Sequence, residues 1–452
     1  MKKTLLALLA VLMVAIMAVA LVACGETNGP AVNPDDPTRD VGLYKTKGSY
    51  ETINDPLSWE AINKFPVVHD GMTIQEGRDL VVDFFRYCKT AVWIPSEDYE
   101  YTIKSDGEAQ HITGGVKYGG LPYTSVSSGN IYRLLDYIDP ATGVGDIKTM
   151  GAKKTLFGNQ CSFGSYVGIG RVINSADYSW TKNMTLSAGF LKVGDYIYDE
   201  TTTEYKGSEN GEGGYNTITI LKENGVVFSS DYKKADPDSL EKMNKCYAQL
   251  KKGDVIVYFT TAGHVVMISE DAHIEYKADG VTIDPEKSYV KVIDQTPSHG
   301  TTTNAAGDEF AYEKNVDAIW SFQKLANGKY VPFTFGEWTG ADKIESSKTE
   351  INYKEDSITL EKLSDVKITS NYGITDAYVS VYNANGVEVY KLAVRSTTTS
   401  VKEVKLALMG GNVDIWGNAD NLKPAEYQYT VKIYAQLSTG ERPTLWEGKL
   451  AQ

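Results

Sequence analysis

Cysteine and histidine are scarce in this chain, four and five among 452 residues. So few cysteines exclude a disulfide-built scaffold. No spacing among the cysteines and histidines matches a metal-ligand set, so neither a metal nor a cofactor is expected. Basic residues are outnumbered: 45 Lys and Arg against 59 Asp and Glu give a formal charge of −14. That balance argues against nucleic acid or an anionic lipid surface as partner. Long apolar runs are absent but for one, Leu5 to Val22, behind Lys2 and Lys3.

That run ends in Leu21-Val22-Ala23-Cys24-Gly25. A basic start, an apolar core and small residues before a cut describe a secretory signal over residues 1–23. The ending resembles the lipobox of bacterial lipoproteins, which implies cleavage before Cys24 and a diacylglycerol on its sulfur. The expectation is a bacterial protein outside the cytoplasm, held to the cell membrane through lipidated Cys24. Residues 24–58 lack hydrophobic periodicity and include Pro34-Asp35-Asp36-Pro37, so they read as a flexible tether. Cleavage would leave 429 residues, enough for two or three domains, and a charge of −16 without Lys2 and Lys3.

Thr73-Ile74-Gln75-Glu76 has capping-box spacing and precedes Leu80, Val81, Phe84, Phe85 and Cys88 at helical intervals, predicting a helix from Thr73 to about Thr90. Ile131 to Ile138 suggests a short helix. A third runs from Cys161 to Ile173, its two glycines, Gly164 and Gly168, allowing close packing against a sheet, and a fourth from Ser239 to Leu250. Residues 176–237 read as irregular strands and loops. Val255–Thr260, His264–Ser269 and Tyr289–Ile293 read as strands, with Ile319–Phe322 and Tyr330–Phe335 closing the same sheet. Helices first and sheet later predict an α+β domain over residues 59–345.

From 346 to 452 the pattern alternates at period two, as in Ala377-Tyr378-Val379-Ser380-Val381-Tyr382, with a hairpin turn at Asn383-Ala384-Asn385-Gly386. This is an all-β sandwich of short strands. The segment from Val379 to Tyr390, followed by Leu422 to Tyr427, resembles the Ig-like repeat of flagellar hook-capping proteins, which implies an Ig-like fold.

Three residues carry the chemistry. Cys161 stands where a polar turn, Gly158-Asn159-Gln160, meets the start of a helix; His264 opens an apolar strand; Asp294 ends a later one. A helix N-terminus and an imidazole lower a thiol pKa, and a carboxylate orients the imidazole. Taken singly, each has a plainer reading: a structural thiol, a hydrogen-bonded core histidine, a strand-end cap. Cys88 and Cys246 lie on helices and read as buried small hydrophobes, with a Cys88–Cys246 disulfide left open. His299 reads as a loop residue, and His69, His111 and His273 sit in polar contexts.

The ordered set Tyr118-Gly119-Gly120-Leu121-Pro122-Tyr123, Asn159-Gln160-Cys161-Ser162, Leu250-Lys251-Lys252-Gly253-Asp254-Val255 and His264-Val265 resembles the NlpC-type cell-wall endopeptidases, a papain-like clan. The likeness spans residues 118–296. It implies a papain-like cysteine hydrolase, a monomer without cofactor, that cleaves peptide or amide bonds in peptidoglycan stem peptides. Cys161 would be the nucleophile, His264 the acid–base and Asp294 its orienter. The Cys161 N–H, with Gln160 or Tyr123, would stabilise the oxyanion, and Gln295 would support or replace Asp294. The chain departs from the family at Gln160, where Asp is usual, in the 103 positions between Cys161 and His264, and in a third residue that is more often His.

Two other functions compete. One is a non-catalytic surface lipoprotein that binds glycan or protein through its many tyrosines. The other is a transglutaminase-like acyltransferase, whose Val-Asp-x-Thr ending is similar to Ile293-Asp294-Gln295-Thr296.

Overall fold

The computed structural model describes residues 57–102, 109–124, 129–152, 155–176, 181, 189–198, 216–260, 262–296, 299–303, 309–313, 316–395, 401–406 and 412–452. Residues 1–56, which include the segment read as a secretory signal, Cys24 and nearly all of the expected tether, lie outside the described residues. No described helix is long and apolar enough to cross a membrane.

Helix α1 (Ile74–Thr90) starts on the capping box: Thr73 Oγ1 accepts from the Glu76 N–H while the Glu76 carboxylate accepts from the Thr73 N–H. Its apolar side buries Leu80, Val81, Phe84, Phe85 and Cys88. Helix α2 (Cys161–Ile169) crosses it at Gly168, where a Cβ would come within 2.7 Å of Phe85 Cβ and 2.9 Å of the Val81 carbonyl. The glycine serves helix-on-helix contact more than contact with a sheet. Helix α2 stops at Ile169, four residues short of the expected Ile173, because the chain tightens into a turn in which the Arg171 N–H bonds the Gly168 carbonyl.

Strands β1 (Phe190–Lys192), β2 (Val255–Phe259), β3 (Gly263–His273), β4 (Tyr289–Ile293), β5 (Val316–Ser321) and β6 (Val331–Phe335) form one antiparallel sheet in the order β5-β4-β3-β2-β6-β1. Between β5 and β6 a helix begins at Phe322, which the sequence places in a strand; Ser321 caps it by accepting from the Lys324 N–H. A second sheet of five short strands includes Val92–Pro95 and Lys117–Gly119.

Two other expectations are corrected. The Thr217–Glu223 segment is helical although its Thr-Ile-Thr-Ile run favours a strand. Asn216 caps it, Leu221 is buried, and Thr217 Oγ1 bonds the Phe259 carbonyl at the end of β2, so packing overrides propensity. His299 lies in a strand, His299–Thr303, paired with Glu309–Glu313, not in a loop. Cys88 and Cys246, read as buried small hydrophobes, are buried free thiols, and the disulfide left open between them does not form.

Residues 346–452 hold strands and short 3-10 turns among the described residues. The frame is β7 (Thr349–Ile351), β8 (Lys367–Asn383), β9 (Glu388–Arg395), β10 (Val401–Lys405), β11 (Asn412–Trp416), β12 (Tyr429–Leu437) and β13 (Thr444–Leu450). The long β8 pairs β7 and β10 with its first half and β9 and β12 with its second, so it joins all of them in one sheet. The hairpin turn forms as expected, with Gly386 at φ 75°.

The two parts have separate apolar cores but share a buried, charged interface. Arg133 donates to Asp376 at 2.8 Å and to the Thr375 carbonyl at 2.6 Å, with both ionic side chains at most 1% exposed. Arg395 lies 3.6 Å from Asp376 and also pairs with Asp136. Tyr372 reaches back to the Val172 carbonyl, just past α2, at 3.0 Å. Removing one partner of such a cluster leaves buried charge unpaired. Asp376→Ala, which takes the buried carboxylate from between Arg133 and Arg395, is therefore expected to cost about 3–5 kcal/mol in urea denaturation of the whole chain.

Candidate active site

Close backbone packing puts Cys161 in place. A Cβ on Gly158 would sit 2.2 Å from the Pro122 carbonyl oxygen, so the approach needs glycine. Asn159 donates to the Pro122 carbonyl at 3.0 Å and accepts from the Thr124 N–H at 3.0 Å. Two positions later Cys161 is the first residue of α2, where the backbone N–H has no partner within the helix and the dipole favours an anion.

Strand pairing supplies the other wall. Strand β4 pairs β3 from His273 up to Met267 and no further, so among the described residues no strand pairs residues 263–266 of β3 on that side. The Cys161 sulfur lies there, 3.8 Å from the Gly263 carbonyl oxygen and bonded by the Val265 N–H. His264, between them, brings Nε2 to 2.7 Å from Asp294 Oδ1, an ion pair when the ring is protonated. Asp294 follows the last residue of β4, so the strand that ends the pairing also delivers the carboxylate. With Nε2 engaged, Nδ1 is the ring nitrogen left for the sulfur, to which the His264 side chain is also hydrogen bonded. The three predicted residues come together from elements up to 133 positions apart.

The charges are coupled. Burial pushes the Cys161 thiol up, but the His264 charge and hydrogen bond, with the Val265 N–H, bring it below the ordinary thiol value. Burial pulls the His264 ring down, but Asp294 and the Cys161 sulfur hold it well above the ordinary imidazole value. Both directions favour a thiolate–imidazolium pair. Cys161 is 4% exposed, and the His264 side chain is 20% exposed.

The supporting residues divide. Gln160 caps α2 without a side-chain hydrogen bond, and its Nε2 is buried with no partner among the described residues. Gln160 immediately precedes Cys161 in the chain, so this unspent donor is the nearest in sequence to the sulfur. Tyr123 is half-buried and its backbone bridges Asn159. Gln295 turns inward: Lys89 donates to its Oε1, and its Nε2 reaches the Leu121 carbonyl at 3.2 Å and the Asn159 carbonyl at 3.5 Å. It braces the cysteine turn from behind, while Asp294 meets the histidine. Asp254 of the Gly-Asp-Val turn is structural, bonded to Arg78 at 3.0 Å and Thr334 at 2.6 Å.

One neighbour is not legible from sequence motifs. Tyr330 packs edge-on to the His264 ring with centroids 6.4 Å apart, and also touches Tyr258 and Trp320. Burial, then the Asp294 carboxylate and the Cys161 sulfur, keep its phenol neutral, well above the usual range. A tyrosine just before a strand carries no sequence signal for this; the helix between β5 and β6 carries the chain back to that position.

Comparison with protein-family models, curated proteins and solved structures returned no match.

Proposed function

We propose that this chain is a cysteine hydrolase, papain-like and of NlpC type in its first domain and Ig-like in its second. It would be anchored outside a bacterial cell through Cys24 and cut peptide or amide bonds of peptidoglycan stem peptides. The observation that carries the reading is the run of contacts from the Cys161 sulfur through His264 to Asp294 at a helix N-terminus. The substrate class and the cell-surface setting rest on the sequence resemblance.

The Cys161 thiolate attacks the carbonyl carbon and forms the C–S bond. The carbonyl electron pair moves onto oxygen, and the oxyanion takes the Cys161 N–H and the free Nε2 of Gln160. As the tetrahedral species collapses, the C–N bond breaks and imidazolium His264 gives its Nδ1 proton to the leaving amine. Water then adds to the thioester, losing a proton to neutral His264, and the acid leaves as the thiolate re-forms. Asp294 holds the ring tautomer throughout.

The test is alkylation by iodoacetamide, small enough for a thiol so little exposed, read by mass on each cysteine at pH 6.5. Cys161 is expected to react at least a hundredfold faster than Cys88, whose thiol burial pushes up. His264→Ala is expected to remove that advantage, because the burial penalty is the largest influence on the thiol and the Val265 N–H alone does not offset it. A Cys161 that stays inert, or whose rate ignores His264→Ala, would return the chain to the non-catalytic binder. Product joined to an added amine instead of water would favour the acyltransferase.

A further inference from the structure

Helix α2 does not hold its own place. It has nine residues, two of them glycine, and a helix that short is marginal by itself. Its position follows from what it packs against. Along one side that is α1, at Gly168. Beyond its last residue it is the second domain, which meets four of the next five residues. A Cβ on Gly170 would lie 3.0 Å from Ser438 Cβ, and one on Gly440 would run into the Arg171 guanidinium. The Val172 carbonyl accepts from the Tyr372 hydroxyl at 3.0 Å, a donor shared with the Glu345 carbonyl at 2.9 Å. The Asn174 carbonyl accepts from Lys402 Nζ at 2.7 Å. Tyr372 belongs to β8 and Lys402 to β10, while Ser438 and Gly440 follow β12. The Ser438 N–H donates to the Gly373 carbonyl at 2.8 Å, which joins β8 and the turn after β12 in one patch.

Arg171 is the centre of this contact, 1% exposed. Its guanidinium lies 4.3 Å from the Phe84 ring centre and donates to the Tyr132 hydroxyl at 3.1 Å and the Pro66 carbonyl at 2.9 Å. Its Nε has no partner among the described residues. A buried cation held by a ring, a phenol and a carbonyl is costly, and this one follows the end of α2, where the helix dipole favours positive charge. The second domain also bears on the front of the helix. The Tyr132 hydroxyl donates to the Ser438 carbonyl at 3.4 Å, and Arg133 pairs with Asp376. Both lie on a single helical turn, Ile131–Leu134, capped by Asn130. Just before that turn Gly129 packs on Gly158 so closely that a Cβ would overlap the Gly158 carbonyl. Gly158 begins the turn that presents Cys161.

We infer that the second domain is a clamp on the nucleophile helix, with Arg171 and Tyr372 as positioning residues that keep Cys161 in line with His264. The consequence for catalysis rests on the hydrolase reading. Sulfur and ring stand on different elements, α2 and β3, so whatever shifts α2 moves one against the other. A shift of about 1 Å at a reacting atom is enough to cost about a hundredfold in rate. The second domain is then part of the site's machinery, not a separable module.

The test uses the full chain. One variant joins Tyr372→Phe to Lys402→Ala and removes the hydrogen bonds to the 172 and 174 carbonyls, leaving Arg171 in place. The other, Gly440→Ala, crowds Arg171 without removing a hydrogen bond. Hydrogen exchange read by mass reports the amides of residues 164–173, and iodoacetamide alkylation against pH reports the Cys161 thiol. Both variants are expected to exchange at least tenfold faster over residues 164–173 while β2 stays as slow as in the parent. Both are expected to raise the pH midpoint of Cys161 alkylation by about half a unit or more, towards the ordinary thiol value. Lower global stability alone would not move that midpoint, and urea midpoints show that each variant is folded. Parent-like exchange and midpoint in both folded variants would overturn the clamp. So would faster exchange that left an acidified Cys161 at its parent midpoint. A parent whose Cys161 titrates as an ordinary thiol sinks the hydrolase reading alone, since exchange over residues 164–173 still reports whether the second domain holds the helix.

Discussion

Cys161→Ala is expected to lower the rate of new amino-terminus release from purified peptidoglycan by about ten-thousandfold or more. The sulfur is both the attacking atom and the leaving group of the second step, so nothing else in the site replaces it. His264→Ala is expected to fall within about tenfold of the same rate, and the double variant no lower, because groups that act as a unit do not add. The reason lies in the two shifted groups. His264 is what brings the thiol below its ordinary value, and without it a buried sulfur returns to its protonated, unreactive form. Urea denaturation of each variant separates loss of chemistry from loss of fold. A His264→Ala protein that kept a tenth of the parent rate would remove the acid–base role from this ring.

Asp294→Asn is expected to reduce turnover by roughly a thousandfold to ten-thousandfold and to change the pH profile in one direction. In the parent the active form holds a thiolate and an imidazolium together. Activity then rises as Cys161 loses its proton, below the ordinary thiol value of about 8.5, and falls as His264 loses its own, above the ordinary imidazole value of about 6.5. The Asp294 charge is the first of the influences that raise the His264 pKa. Replaced by an amide it no longer opposes burial, which pulls that pKa down, so the alkaline limb moves to lower pH. The measurement is kcat against pH for both proteins. An alkaline limb that stayed in place would mean that something other than Asp294 holds the imidazolium.

The candidate site is readable in the sequence because each member carries a local mark. Cys161 follows a glycine-led polar turn, His264 opens an apolar strand after Gly253-Asp254-Val255, and Asp294 ends one before Thr296-Pro297. The division between Asp294 and Gln295 is not readable: neighbours in a chain leaving a strand point opposite ways, and only the pairing of β4 with β3 decides which faces the ring. Tyr330 is silent for the same reason, since the helix Phe322–Asn327 has to form before that side chain reaches His264.

Short-range physics therefore specifies the elements. The Thr73 and Glu76 cap, the apolar stripe of α1, the alternation through Tyr378 and Tyr382 and the Asn383–Gly386 turn depend on residues within a few positions, and they appear where the sequence places them. What brings elements together depends on partners the local pattern does not record. Arg133 finds Asp376 across 243 positions, and Lys89 finds Gln295 across 206. Neither the docking of the second domain nor the brace behind the cysteine turn has a periodicity or a cap to announce it. Buried charge finds its partner only once the cores have closed and water is gone.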